Sequence, residues 1–190
     1  YWGGFGGRRG EMDGDGNRAE LESSGRHALL GGDYQGESGW RVGVLLGSSD
    51  QRHDVDARAS RSDEDGFHAG LYASKHWDAL RLRTGVVASR DDVETRRDVG
   101  ASGISETYTA STDASATAVF AELGYAIPVG SFELEPYLGL GQVRQETDAF
   151  EERGGMGALR VDGSDDRLHF VDLGLNVSRD LGGSERWYFD

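Results

Sequence analysis

Apolar and polar residues alternate with a period of two in eight stretches of the chain. They lie near Trp2–Arg8, His27–Gln35, Trp40–Ser48, Phe67–Ser74, Leu80–Ser89, Thr117–Ile127, Phe132–Arg144 and Leu168–Ser178. Successive side chains of a strand point to opposite faces, so each stretch predicts a strand with one apolar and one polar face. In the seventh, Phe132, Leu134, Pro136, Leu138 and Leu140 share one side, and Glu133, Glu135, Tyr137, Gly139 and Gly141 the other. In the fifth, Leu80, Leu82, Thr84, Val86 and Ala88 oppose Arg81, Arg83 and Gly85. The sixth sets Val119, Ala121, Leu123, Tyr125 and Ile127 against Glu122 and Gly124, and the eighth sets Val171, Leu173, Leu175 and Val177 against Asp172, Gly174 and Asn176. The third sets Trp40, Val42, Val44 and Leu46 against Arg41 and Gly43. No long 3.6-residue stripe follows a convincing cap, so no helix is expected.

The connections carry a second pattern. "GESG", "KHWD", "PVGS" and "DLGGS" are of hairpin length. They alternate with the long polar connections Arg9–Arg26, Ser49–Gly66, Arg90–Ala116 and Gln145–Arg167. A compact sandwich has little use for four long polar loops in strict alternation, whereas an outer-membrane barrel is built with short turns at one end and longer loops at the other. The period-two pattern alone fits both folds: apolar residues fill the core of a sandwich but face lipid in a barrel, with charges toward a wet lumen. Aromatics favour the barrel, because Trp2, Tyr34, Trp40, Trp77, Tyr125 and Phe132 gather at the short-turn ends, where an aromatic girdle belongs.

Composition sharpens this picture. Thirty of 190 residues are glycine, many of them inside apolar stretches. Glycine weakens a strand unless a bend or a packed neighbour requires it, so Gly43, Gly70, Gly85, Gly124, Gly139, Gly141 and Gly174 are expected on the lumen side of a curved sheet, under aromatic rings. Asp33, Arg41, Arg81, Arg83, Glu122, Glu133, Glu135 and Asp172 are the expected lumen-facing charges. The net charge of −14 disfavours nucleic acid, whose binding relies on neutralising phosphates. The absence of cysteine fits a reduced cytosol and an oxidising periplasm alike. No leader pattern opens the chain, which fits a cytosolic protein or a mature or excised segment. The most apolar short run, "VGVLLG", is far below the roughly 20 residues of a spanning helix.

The block "VFAELGYAIPVGSFELEPYLGLGQVRQETDAFEERGG" resembles the translocator barrel of autotransporters (type V secretion). So do "ALLGGDY", "WRVGVLLGSS", "FHAGLYAS" and the opening "WGGFGG" with "DGDGN". The likeness runs over nearly the whole chain. It implies an all-β, antiparallel up-and-down meander forming an outer-membrane β-barrel of twelve strands, preceded by a helix that threads it and by a secreted passenger. It implies a pore that anchors in the outer membrane and helps to export that passenger, with no enzyme activity and no cofactor. The implied partners are outer-membrane lipid, the passenger in cis, the barrel-assembly machinery and periplasmic chaperones. This chain supplies eight strands and then "ERWYFD", which reads as the start of a ninth, and Phe189 is followed by Asp190 where the family ends on an aromatic residue. One partial barrel domain over residues 1–190 is therefore expected, with a gap between the first strand and Leu168–Ser178 or Arg186–Phe189. A small closed eight-stranded structural or adhesive barrel is the alternative.

Little else suggests chemistry. Asp13, Asp15 and Asn17 occupy the first, third and fifth positions of a calcium loop, but Arg18 and Ser24 stand where its Gly and bidentate Glu belong. His27, His53, His68, His76 and His169 form no metal-binding spacing, and no GxSxG elbow occurs, so neither a metal nor a catalytic residue is assigned. His68 and Asp172 are expected to face the lumen, with a structural hydrogen bond as the expected role. Some autotransporters cut their own linker with acidic lumen residues, which by resemblance points to Glu122, Glu135 or Asp172. Pairing with Arg41, Arg81 and Arg83 is the expected role instead, since buried charges need partners.

Overall fold

The computed structural model describes residues 1–12, 21–55, 59–101, 104–180 and 186–189. The strands are β1 (Trp2–Met12), β2 (Leu21–Gln35), β3 (Trp40–Val55), β4 (Ser60–Trp77), β5 (Leu80–Ala101), β6 (Ile104–Tyr125), β7 (Ile127–Val129), β8 (Phe132–Thr147), β9 (Phe150–Glu151), β10 (Arg160–Val161), β11 (Ser164–Asp180) and β12 (Arg186–Phe189). Ten of them form one antiparallel sheet in the order β1-β2-β3-β4-β5-β6-β8-β11-β12, with β7 also on β8, and β9 and β10 form a small hairpin. The meander is the expected one, and β12 is the expected ninth long-sheet strand, paired with Val177–Asp180. No ladder joins β1 to β11 or β12 among the described residues, so the sheet is an open half-barrel and not the closed eight-stranded alternative. The short turns need little chain. Gly39 and Gly130 supply the left-handed backbone (φ +80 and +63) that closes two of them.

The strands are much longer than the alternation predicted. β5 and β6 each run 22 residues and stay in register from Leu80↔Tyr125 to Ala101↔Ile104. Of the stretches expected as loops, Ser49–Gly66 and Arg90–Ala116 are hydrogen-bonded ladder over most of their described residues, the described ends of Arg9–Arg26 are ladder too, and Gln145–Arg167 keeps a connection between its paired ends. The hydrophobic signal fades there because both faces turn polar, while the backbone pairing continues. On the outer face of β5, Leu80 to Ala88 form the apolar stretch and Arg90, Asp92, Glu94 and Arg96 follow it. Nine residues span about 27–30 Å along a strand, or roughly 20–25 Å once tilted, which matches the apolar band of an outer-membrane barrel.

Register assigns the faces. Gly43, Tyr72, Gly85, Phe120, Gly141 and Phe170 lie directly opposite one another on β3, β4, β5, β6, β8 and β11. Arg41, Ser74, Arg83, Glu122, Gly139 and Asp172 form the neighbouring row on the same face. This face is the concave one. Trp2 on β1 donates from Nε1 to the Tyr72 hydroxyl on β4 at 2.8 Å. Strands stand about 4.8 Å apart, so side chains three strands apart converge this way only where the sheet bends toward them. Trp2 thus lies inside, over Gly31, and not in the outer girdle. Trp40 and Trp77 do form such a rim, edge to face at 6.0 Å, with the Lys75 ammonium 5.2 Å from each ring.

Rings cover glycines on the concave face: Tyr72 over Gly43, Phe120 over Gly85, Phe170 over Gly141 and Tyr137 over Gly174. Gly70, Gly124 and Gly139 differ from expectation. Leu45 and Val87 crowd Gly70, Glu135 covers Gly124, and Asp172 stands beside Gly139. The convex face exposes Leu30, Phe5, Val171 and Leu173. A β-carbon at Gly85 would stand 2.7 Å from the Phe120 ring. Gly85→Val should therefore cost about 1–3 kcal/mol by overpacking, and Phe120→Ala in the same protein should recover part of it. Urea-driven unfolding of the detergent-folded full-length protein measures both; a Gly85→Val protein as stable as its parent contradicts the interlock.

Candidate functional site: the charged concave face

All eight charges expected in the lumen share the concave face by register: Asp33, Arg41, Arg81, Arg83, Glu122, Glu133, Glu135 and Asp172. Five of them form one network beside the short turns. Arg81 Nη2 donates to Glu133 Oε1 at 2.6 Å, and Arg81 Nη1 donates to Glu135. Arg83 Nη1 donates to Glu122 and lies 2.6 Å from Glu135 Oε1. That last contact is ionic and not a directed hydrogen bond, so Glu135 Oε1 is held by charge alone. Gly124 makes the network possible, because a β-carbon there would stand 2.5 Å from Glu135 Oε1. Glu135 is 2 % exposed and is shared by both arginines, each of which also holds a glutamate of its own, Glu133 for Arg81 and Glu122 for Arg83. Burying such a charge is tolerable only with this much compensation.

A second chain runs along β1 to β4. Tyr72 accepts from Trp2 and donates to Asp33 Oδ2 at 3.1 Å. Asp33 Oδ1 lies 3.5 Å from Arg41 Nε, and Arg41 Nη2 donates to Gln35 Oε1 at 3.2 Å. Arg41 thus serves Asp33, not the glutamates of β6 and β8. Asp172 stands beside Gly139 in the row of Glu122 and makes no ion pair among the described residues. His68 hydrogen-bonds Ser49 Oγ through Nε2 at 2.8 Å, across the sheet from Asp172, so the two act separately. Among the described residues no group of three or more His, Asp or Glu side chains is placed to hold a metal ion. Asp13, Asp15 and Asn17 lie outside the described residues.

Sequence reasoning missed a third cluster, well beyond the apolar band. Arg97 donates to both oxygens of Glu152 (3.1 and 2.5 Å), stacks 4.5 Å over the Tyr108 ring, and reaches the Gly157 carbonyl at 3.3 Å. Tyr108 is 3 % exposed and accepts a hydrogen bond from Gly157 N at 3.1 Å. The available signal was the pair of glycines in "EERGGMG". Gly154 has φ +139 and lies so close to the Thr107 carbonyl that no side chain fits.

The sequence matches the autotransporter beta-domain family over residues 1–189. The chain belongs to that family. Two proteins of Serratia marcescens, each called an extracellular serine protease, are 29% and 28% identical over 172 and 171 residues, covering 88% and 90% of this chain. The chain spans 16% of the length of either relative. The translocator domain of the autotransporter NalP from Neisseria meningitidis superposes with a TM-score of 0.81 at 17% identity, over 98% of this chain and 62% of that one. The beta domain of the Bordetella autotransporter BrkA gives 0.66 at 23%, over 98% and 75%. At these identities the two structures bear on the fold alone, and the fold is that of an outer-membrane β-barrel. Family and fold together place the β-domain in the bacterial outer membrane.

Two measurements follow. Glu135→Ala leaves two arginines without their shared carboxylate and should cost about 2–3 kcal/mol, the partial exposure of the arginines lowering the cost of a fully buried break. Glu133→Ala, at a more open position, should cost clearly less; equal effects in denaturant unfolding contradict the ranking. The Glu152 carboxyl is held below the usual carboxylate range, first by the Arg97 hydrogen bonds, then by the Leu159 backbone N–H. A depressed folded pKa gives stability that is present above the ordinary carboxylate value of about 4.3 and lost as pH falls through the depressed one. Hydrogen-exchange protection at residues 152–159, taken relative to the intrinsic rate at each pH, should fall across that acidic window and hold steady from about pH 5 to 8; protection that does not change on acidification contradicts the assignment.

Proposed function

We propose that this β-domain forms part of a larger barrel whose lumen lets an N-terminal passenger cross the outer membrane. The observation that supports this best is the inside-out distribution of side chains. Paired charges and rings crowd the concave face, while leucines and valines stand exposed on the convex one. Water does not tolerate so large an apolar surface on a solitary soluble protein, and lipid requires it. Among the described residues no strand pairs with the outer edges of β1 and β12, and an edge left open in this way is costly in lipid, which favours a larger, closed ladder.

In this reading Asp33, Arg41, Arg81, Arg83, Glu122, Glu133, Glu135 and Asp172 line the lumen, and their mutual pairing keeps them from gripping a chain in transit. The domain performs no chemistry of its own. The protease activity named for the two relatives belongs to the five-sixths of their length that this chain does not match. Barrel-assembly machinery and periplasmic chaperones are the partners that would insert such a domain.

Two experiments test this. In the full-length protein in cells, deletion of residues 1–190 should abolish exposure of the upstream region to added protease, with the protein retained inside; unchanged surface exposure contradicts the reading. Leu138→Arg, on the outer face of β8, should cost about 2–4 kcal/mol near mid-membrane. An unchanged folding yield in lipid would count against a lipid-facing Leu138.

A further inference from the structure

Lys75 stands on the convex face at the short-turn end, the end that an outer-membrane barrel turns toward the periplasm. Of the 20 lysines and arginines in the chain it is the only lysine. Its ammonium lies 5.2 Å from the Trp40 ring and 5.2 Å from the Trp77 ring, and it makes no ion pair among the described residues. The arginines of the convex collar at the other end behave differently, for Arg26, Arg90 and Arg144 are each matched by an aspartate. A strand outside this sheet cannot lie beside Lys75 to supply a carboxylate, because β4 is paired on both sides, by β3 and β5. Carboxylates are plentiful in a chain of net charge −14, yet this cation is left to two rings. Rings hold an ammonium in place without neutralising it.

Toward the middle of the apolar band the convex face sinks. A hollow of about 910 Å³ is bounded by Val42, Val44, Leu71, Ala73, Thr84 and Val86, over the backbone of Gly43 and Gly85. Thr84 is the one polar side chain among these six, and its hydroxyl is satisfied within the sheet by donating to the Phe120 carbonyl at 2.8 Å. The row Val42↔Ala73↔Thr84 follows Trp40↔Lys75↔Leu82 on the same face. The hollow therefore begins two residues from the cation, about 7 Å along the strand. We propose that cation and hollow together bind one anionic phospholipid of the periplasmic leaflet, its phosphate on Lys75 between Trp40 and Trp77 and an acyl chain in the hollow. The inference rests on the lipid-facing reading of the convex face given above. An aromatic girdle needs its rings alone and is indifferent to the headgroup; the unneutralised ammonium makes this part of it selective. A zwitterionic lipid brings an ammonium of its own to compete with Lys75, whereas a net anionic one does not. The overall negative charge repels anionic lipid, so the preference is confined to this site.

The test titrates the full-length protein, folded in detergent, with phosphatidylglycerol or with zwitterionic phosphatidylcholine, and native mass spectrometry counts the bound lipid. The parent should retain a single phosphatidylglycerol at concentrations where phosphatidylcholine is not held. Lys75→Gln should weaken that binding about fivefold, the effect of removing one lysine from an anionic surface. Lys75→Arg keeps the charge and should keep most of the binding. Ala73→Phe fills the hollow with Lys75 in place and should also weaken it. Heat-modifiable gel migration identifies the folded variants. Lys75→Gln binding like the parent, or a parent that holds both lipids equally, overturns the site; Ala73→Phe binding like the parent overturns the acyl seat. A spin label at Leu71→Cys, in a cysteine-free full-length protein in bilayers, separates this failure from that of the lipid-facing reading. It should collide with oxygen far more than with a water-soluble nickel chelate, in parent and Lys75→Gln alike. If the chelate dominates at 71, the lipid-facing reading fails and the site falls with it. If oxygen dominates while Lys75→Gln binds like the parent, the site alone fails.

Discussion

The curvature of the sheet depends on rings lying over bare backbone. Tyr72, Phe120 and Phe170 alternate with Gly43, Gly85 and Gly141 along a single row, each ring resting where its neighbour has no side chain. A row of large residues could not bend inward, because the side chains would collide. A row of small ones could bend but would leave the strands unsupported, with the entropic weakness of glycine uncompensated. Alternating the two gives a packed inner wall on a sheet that curves. The same device recurs with Trp2 over Gly31 and Tyr137 over Gly174, and with a carboxylate in place of a ring at Gly124.

That curvature governs the electrostatics. Bending brings Arg81 on β5 within reach of Glu133 and Glu135 on β8, over the strand between them, so two guanidiniums serve three carboxylates. On a flat sheet these groups would be too far apart to share partners, and Glu135 could not be buried. The convex side obeys a different constraint. It is apolar until the band ends and then becomes a collar of cross-strand ion pairs, including Arg26–Asp50, Arg90–Asp113 and Arg144–Asp165 at 3.1, 3.0 and 2.9 Å. Exposed pairs of this kind add little stability. Their placement records where the surroundings change from hydrocarbon to water.

Legibility in the sequence follows the same boundary. Within the band, alternation between apolar and polar surroundings fixed the strand positions, the short turns and the faces, so Leu138 and Gly139 were separable by inspection. Beyond it, Ser49–Val55 and Arg90–Ala101 read as loop because both faces are wet, although they are strand. The shared face of Arg81, Arg83, Glu122 and Glu135 was legible, since parity within each strand suffices. The partnership of Asp33 with Arg41, and the inward position of Trp2, required the register between strands, which single-strand parity does not contain. The Arg97–Tyr108–Glu152 cluster joins residues 55 apart in sequence through a folded-back segment, and only the two consecutive glycines hinted at it.

The central claim is that one face of this sheet meets lipid and the other meets water. Site-directed spin labels placed one at a time along β8, from Phe132 to Gln142, in the full-length protein in bilayers, test it most directly. The account predicts collision with oxygen, which partitions into lipid, to peak at 134, 138 and 140. Collision with a water-soluble nickel chelate should peak at 133, 137, 139 and 141, in a period of two out of phase with the first. The same two oscillations in opposite phase, or a chelate signal uniformly high on both faces, would contradict it.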